Sequence, residues 1–148
     1  MVKKVIALVI FLTLITSVVF FYNDFSYRKI SNLWVVDGDT IHGVDEFGNK
    51  QKIRLKGIDC HETRYNPRAD FQSELYGLSL DEIYALGKKE KRYLINFVKD
   101  KRDRFYYKDF GKDKYDRVLG VLYLDKKINV NKMLLDEGVC PVYVARKK

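Results

Sequence analysis

The chain is poor in the residues that build stapled or metal-clustered folds. Its 148 residues include two cysteines, two histidines and two prolines. Two cysteines are too few for a disulfide scaffold or a four-thiolate zinc site. His42 and His61 stand at no recognised zinc-binding spacing from Cys60 and Cys140. There is no internal repeat and no tract of biased composition, so nothing suggests a repeat array or a disordered linker. Acidic residues are also in deficit, 20 against 28 Lys and Arg, for a formal net charge of +8. That balance favours a polyanionic partner such as nucleic acid, anionic lipid or a phosphorylated ligand, although a basic surface also serves solubility. The length supports one domain, and a hydrophobic share of 47% marks it as globular rather than disordered.

Residues Val5 to Tyr22 form an apolar run broken only by Thr13, Thr16 and Ser17, with Lys3 and Lys4 before it. Such a run reads as an export signal or membrane anchor outside the fold. It is longer than the roughly 7–15 residues of a cleavable signal core, and no small-residue cleavage site lies near Phe20–Tyr22. An anchor through residues 5–22 is therefore favoured over a cleaved signal. The two lysines predict a cytoplasmic N-terminus and an exported domain, tethered to the membrane or else released. Residues 1–29 hold four basic residues and one acid, a net +3; residues 30–148 carry the remaining 24 and 19, a net +5. Basicity thus belongs to the domain itself.

Within residues 30–148, Ile30–Val36, Ile41–Val44 and Lys52–Ile58 read as a three-strand meander with turns at Asp37-Gly38 and Asp45–Asn49. Residues Thr63–Leu80 lack periodicity and read as a long loop, with room for a short helix. Ile83, Leu86, Leu94, Phe97 and Val98 fit one helical face, locally weakened by Gly87. Arg104–Lys108 and Val118–Leu124 read as strands. A short helix over Val130–Glu137 stops at Gly138, and Val139–Ala145 is extended. Five short strands with a helix between the third and fourth suit a small β-barrel with helices (α+β) of the OB type; on pattern alone an unrelated α+β domain is the alternative, and fold does not assign function.

Three constellations carry chemistry. In Asp37-Gly38-Asp39-Thr40, an extended chain would put two carboxylates on one side, where hard oxygen ligands suit a divalent cation; Asp-Gly is equally a common turn. In Ile53–Glu62, Arg54 lies on the polar face of a strand whose far end carries Asp59 and Glu62. Asp59 has the opposite parity to Arg54, so both face one cleft only if the strand kinks, and Gly57 is the place for it. In Asp113-Lys114-Tyr115-Asp116-Arg117, Arg117 has the planar fork that clamps phosphate and Tyr115 a ring that stacks on bases; the plainer reading is a charged hairpin tip.

Taken together, and in this order, these segments resemble the staphylococcal nuclease (thermonuclease) family over roughly residues 30–145, ending in Val130-Asn131, Leu134-Leu135 and Gly138. The resemblance implies a five-stranded OB-fold barrel with three helices, a monomer acting on DNA and RNA. It implies Ca²⁺ held by Asp39, Asp59 and the Cys60 backbone carbonyl, with Asp37 reaching the ion through water. Arg54 and Arg117 match the family's catalytic arginines and Glu62 the residue that activates water. Lys114, Tyr115 and Tyr143 match the nucleotide-lining positions. The family fold also brings the strand end bearing Cys60 near the segment bearing Cys140, which implies a disulfide between them in an oxidising compartment.

The chain departs from the family at three places. His61 replaces the usual proline before the glutamate and reads as a neutral surface substitution, the alternative being that it loosens the approach to Glu62 or adds a pH-sensitive group. Asp116 replaces the usual glycine before the second arginine; it is expected to restrict the turn, and to pair with Arg117 in competition with phosphate. The loop after Glu62 is longer than usual, which suits a lid or substrate-binding surface; the plainer reading is a tolerated insertion. The resulting expectation is a calcium-dependent endonuclease of low sequence specificity; the alternative is a catalytically weak nucleic-acid-binding OB module tethered outside the cytoplasm.

Overall fold

The structure, a computed structural model, describes residues 2–146, with side chains described for 4–19 and 26–146. Helix α1 covers Val2–Phe25, and its described side chains from Lys4 to Val19 are all exposed. The apolar run expected to act as signal or anchor, residues 5–22, lies partly outside the described side chains. Among the described residues no helix is long and apolar enough to cross a membrane.

Strands β1 (Arg28–Asp37), β2 (Thr40–Asp45) and β3 (Lys50–Leu55) form an antiparallel meander. Strand β4 (Phe105–Lys112) pairs with β1, and β5 (Val118–Leu124) pairs with β4. Parallel pairing of β3 with β5, through Ile53–Val118 to Leu55–Gly120, closes five strands into a barrel. A two-residue strand, β6 (Ile128–Asn129), adds to β5 outside that ring. Alternation drives the closure: Val118, Gly120, Leu122 and Leu124 turn inward while their neighbours stay half-exposed. They meet Ile30, Ile41, Ile53, Leu55 and Phe105 in one core.

The stretch 63–80, read from sequence mainly as loop, is largely helical. Asn66 caps helix α2 (Pro67–Tyr76) by accepting from the N–H groups of Arg68 and Ala69, and Pro67 opens it. Helix α3 (Leu80–Lys99) starts at a capping box between Ser79 and Glu82. Its buried residues Ile83, Gly87, Glu90, Leu94 and Val98 recur every three or four positions and face the barrel, with Leu94 and Val98 in the core. Helix α4 (Val130–Asp136) is capped by Asn129 and buries Val130 and Leu134. Residues 139–146 do not form a strand; only an isolated bridge joins Val142 to Ile58.

Candidate active site

One end of the barrel opens into a cleft of about 880 Å³. It is lined by Asp37, Asp39, Arg54, Asp59, Glu62, Lys114, Tyr115, Arg117 and Tyr143, together with Arg68 and Phe71 of α2. Asp37 and Asp39 reach it without an extended chain, because Gly38 and Asp39 form the hairpin turn between β1 and β2. Beyond β3, Gly57 takes φ +84 and turns the chain back. Asp59 then meets the Arg54 guanidinium, Nη2 to Oδ1 at 3.1 Å, while Nη1 reaches Asp39 Oδ2 at 2.8 Å. Arg54 thereby bridges the two buried carboxylates.

Asp39 Oδ2 also accepts the Cys60 N–H at 2.8 Å. Burial nevertheless holds the Asp39 carboxyl well above its usual range; Arg54 opposes that shift and the Asp37 and Asp59 charges add to it. Asp59 is answered further by Arg68, whose Nη2 lies 2.8 Å from Oδ2, and by the Gln72 side-chain N–H at 2.9 Å. Gln72 also donates to the Cys60 carbonyl at 3.0 Å, and Cys60 is not among the residues lining the cleft. Glu62 is held by its own N–H to Gln72 and by Asn66, which donates to Oε2 at 2.7 Å. Burial raises the Glu62 carboxyl above its usual value, with the Asn66 bond pulling the other way.

Two sequence expectations are corrected here. His61 is not a surface position: it is 8% exposed, its backbone N–H donates to Glu90 Oε2 at 2.6 Å and its Nδ1 lies 2.6 Å from Glu90 Oε1. The proline's stiffening is replaced by a tie to α3. Asp116 does not pair with Arg117. It pairs with Lys112 at 2.6 Å, and Asp113 holds the Arg117 guanidinium at 2.8 Å. The competition with phosphate thus falls to Asp113. Burial would raise its carboxyl, but the N–H groups of Arg117 and Tyr115 and the Arg117 guanidinium bring it below the usual range. The restricted turn is present, since Asp116 takes φ +59. Tyr115 and Tyr143 stand exposed on the cleft, with Arg117 and Lys114 over the first ring and Arg68 over the second.

Cys60 and Cys140 form a disulfide, with Cα atoms 4.6 Å apart. It ties the segment bearing Asp59 to the segment after α4, beside the Asp59 N–H to Pro141 carbonyl bond of 2.9 Å. Cys60, Glu90 and Cys140 also lie close enough to suggest a metal cluster, but both sulfurs are spent in that bond. Sequence reading missed Arg68, Gln72, Asn66 and Glu90. Asn66-Pro67 with Asp70 in the first turn is a helix-start signature that pointed to α2; nothing local marks Glu90 as a partner of His61.

The fold and cleft define a class: a small closed barrel of the OB type, with a pocket in which buried carboxylates and arginines converge. A family model described as "Staphylococcal nuclease homologue" matches residues 52–148. A thermonuclease from Staphylococcus hyicus is 33% identical over 117 residues, which is 79% of this chain and 59% of that protein. The chain belongs to the staphylococcal nuclease family.

Proposed function

We propose that this domain hydrolyses phosphodiester bonds in DNA and RNA with little sequence preference, as a calcium-dependent endonuclease. The observation that carries this reading is the convergence of Arg54, Glu62 and Arg117 on one cleft with Asp39 and Asp59. The oxygen-only donor set, with the Asp37, Asp39, Asp59 and Glu62 carboxylates on one cleft, fits a hard divalent cation. Asp39 and Asp59 would hold it, with Asp37 reaching it through water and the Cys60 carbonyl shared with Gln72. When bound, calcium supplies Lewis-acid stabilisation of charge on the phosphoryl oxygens.

The chain's own groups do the rest. Glu62 Oε1 has no partner among the described residues, whereas Oε2 is fixed by Asn66; Oε1 is the atom that takes the proton from water. Burial keeps that carboxylate basic enough to do so. Arg54 is held in place by Asp39 and Asp59, and Arg117 by Asp113 and Thr40, so positive charge is preorganised before substrate arrives. Lys114 takes a phosphate and Tyr115 and Tyr143 offer ring faces, none of which reads base identity. The retained acids and arginines favour this reading over a binding-only module. An exported location rests on residues 5–22 and the lysines before them.

The purified full chain is assayed on single-stranded DNA and on RNA, with Ca²⁺ and with chelator. Calcium-dependent cleavage is expected, with Glu62→Gln and Arg117→Ala each losing roughly 10²–10³ in rate and little binding. Cleavage that persists in chelator removes calcium from the reading. Tight binding with no cleavage under any condition transfers it to the binding module.

A further inference from the structure

A second groove of about 530 Å³ lies between β1 and α3. Its wall includes Asn32, Trp34, Lys91, Ile95, Lys99 and Arg102. Three of these are cations, and no acid lines the groove. None of the three cations is engaged by an acid among the described residues, in contrast to Lys112, Arg104 and Lys132, which are all paired.

Strand β1 is irregular at this point. Its register with β2 shifts between Ser31 and Trp34, and Asn32 takes φ +51. A bulge of this kind re-aims the side chains around it. Here it leaves the indole of Trp34, the chain's single tryptophan, 70% exposed, with Ile95 of α3 also open across the groove. The exposed ring lines the groove together with the three cations. Trp34 and Lys91 line both this groove and the candidate active-site cleft, so the two share a wall. Trp34 stands three residues before Asp37, about 10 Å along the strand.

Resting on the nuclease reading above, we propose that this groove is an extension site for the substrate strand. A single-stranded segment leaving the active-site cleft stacks a base on Trp34 and lays its phosphates along Lys91, Lys99 and Arg102. Planar rings and regularly spaced negative charges are what an exposed indole beside unpaired cations recognises. The site reads strand length, not sequence.

The single tryptophan supplies the readout. In the full chain with catalysis blocked by chelator, an oligothymidylate of about 12 nucleotides is expected to quench Trp34 fluorescence; thymidine 5′-monophosphate is not. The double variant Lys99→Ala/Arg102→Ala is expected to bind that oligonucleotide at least tenfold more weakly and to lower the salt slope of binding by about 1.4. Its kcat/KM on the long strand should fall tenfold or more relative to that on a dinucleotide. Oligonucleotide binding without quenching, or an unchanged salt slope in the double variant, overturns the proposal. So does quenching by vesicles of anionic phospholipid but not by oligonucleotide, which would make the groove a membrane-facing surface. Failure of the nuclease reading shows separately, as no calcium-dependent cleavage of any substrate by the wild-type chain.

Discussion

Gly87 lies inside α3, where helix propensity alone predicts that alanine stabilises the chain by about 1 kcal/mol. The structure predicts the opposite. A Cβ at this position would stand 2.5 Å from the carbonyl oxygens of both His61 and Glu62. Carbon and oxygen in close contact stand about 3.3 Å apart, so one backbone must move by about 0.8 Å. Neither neighbour yields easily: the 60–62 segment is held by the disulfide, by Glu90 and by Gln72. Overpacking of this kind costs about 1–3 kcal/mol. Set against the helical gain, Gly87→Ala is expected to lose about 1 kcal/mol net, a drop of a few degrees in Tm. The larger effect falls on turnover, because the displaced segment carries Glu62; a misplacement of about 1 Å costs on the order of 10² in rate. Urea denaturation and single-turnover cleavage measure the two effects. Lys88→Ala, at the exposed neighbouring position, serves as control. A Gly87→Ala variant that is more stable than wild type and turns over normally refutes the close-approach argument.

Asp39→Asn keeps the shape and can still accept the Cys60 N–H. Burial raises the Asp39 carboxyl in the folded chain, so its contribution to stability is full below the unfolded pKa and lost as pH rises through the folded one. The variant should therefore melt higher than wild type at pH 7 without calcium, with the gap closing on acidification; a lower Tm at neutral pH contradicts this. Calcium should raise the wild-type Tm and leave the variant's nearly unmoved. Replacing both Cys60 and Cys140 by Ser opens a link across 80 residues and is expected to cost about 2–4 kcal/mol. An unchanged urea midpoint would show that the bond contributes nothing.

Much of the barrel was legible along the chain. The alternation in Val118–Leu124, the turn at Asp45–Asn49 and the apolar spacing of α3 are local patterns, and local patterns follow from backbone periodicity. The order of the acidic and basic motifs pointed to the family before any contact was known. The loop after Glu62 was the weak point: its helix α2 has little apolar periodicity, and its Asn66 cap is a single-residue signal that is easily read as a turn.

The amino-acid sequence by itself determined which groups exist: four acids, two arginines, an aromatic pair, two cysteines and an unusual His61. Tertiary structure decided what each of them meets. Only the fold shows that Arg54 bridges Asp39 and Asp59, that Arg68 from α2 reaches the same carboxylate, and that Asp113 rather than Asp116 holds Arg117. Only the fold buries His61 against Glu90, 29 positions away. The physical reason is the same throughout. Chain periodicity selects which side of an element a residue takes, whereas ion pairs and burial depend on distances across elements that close packing sets.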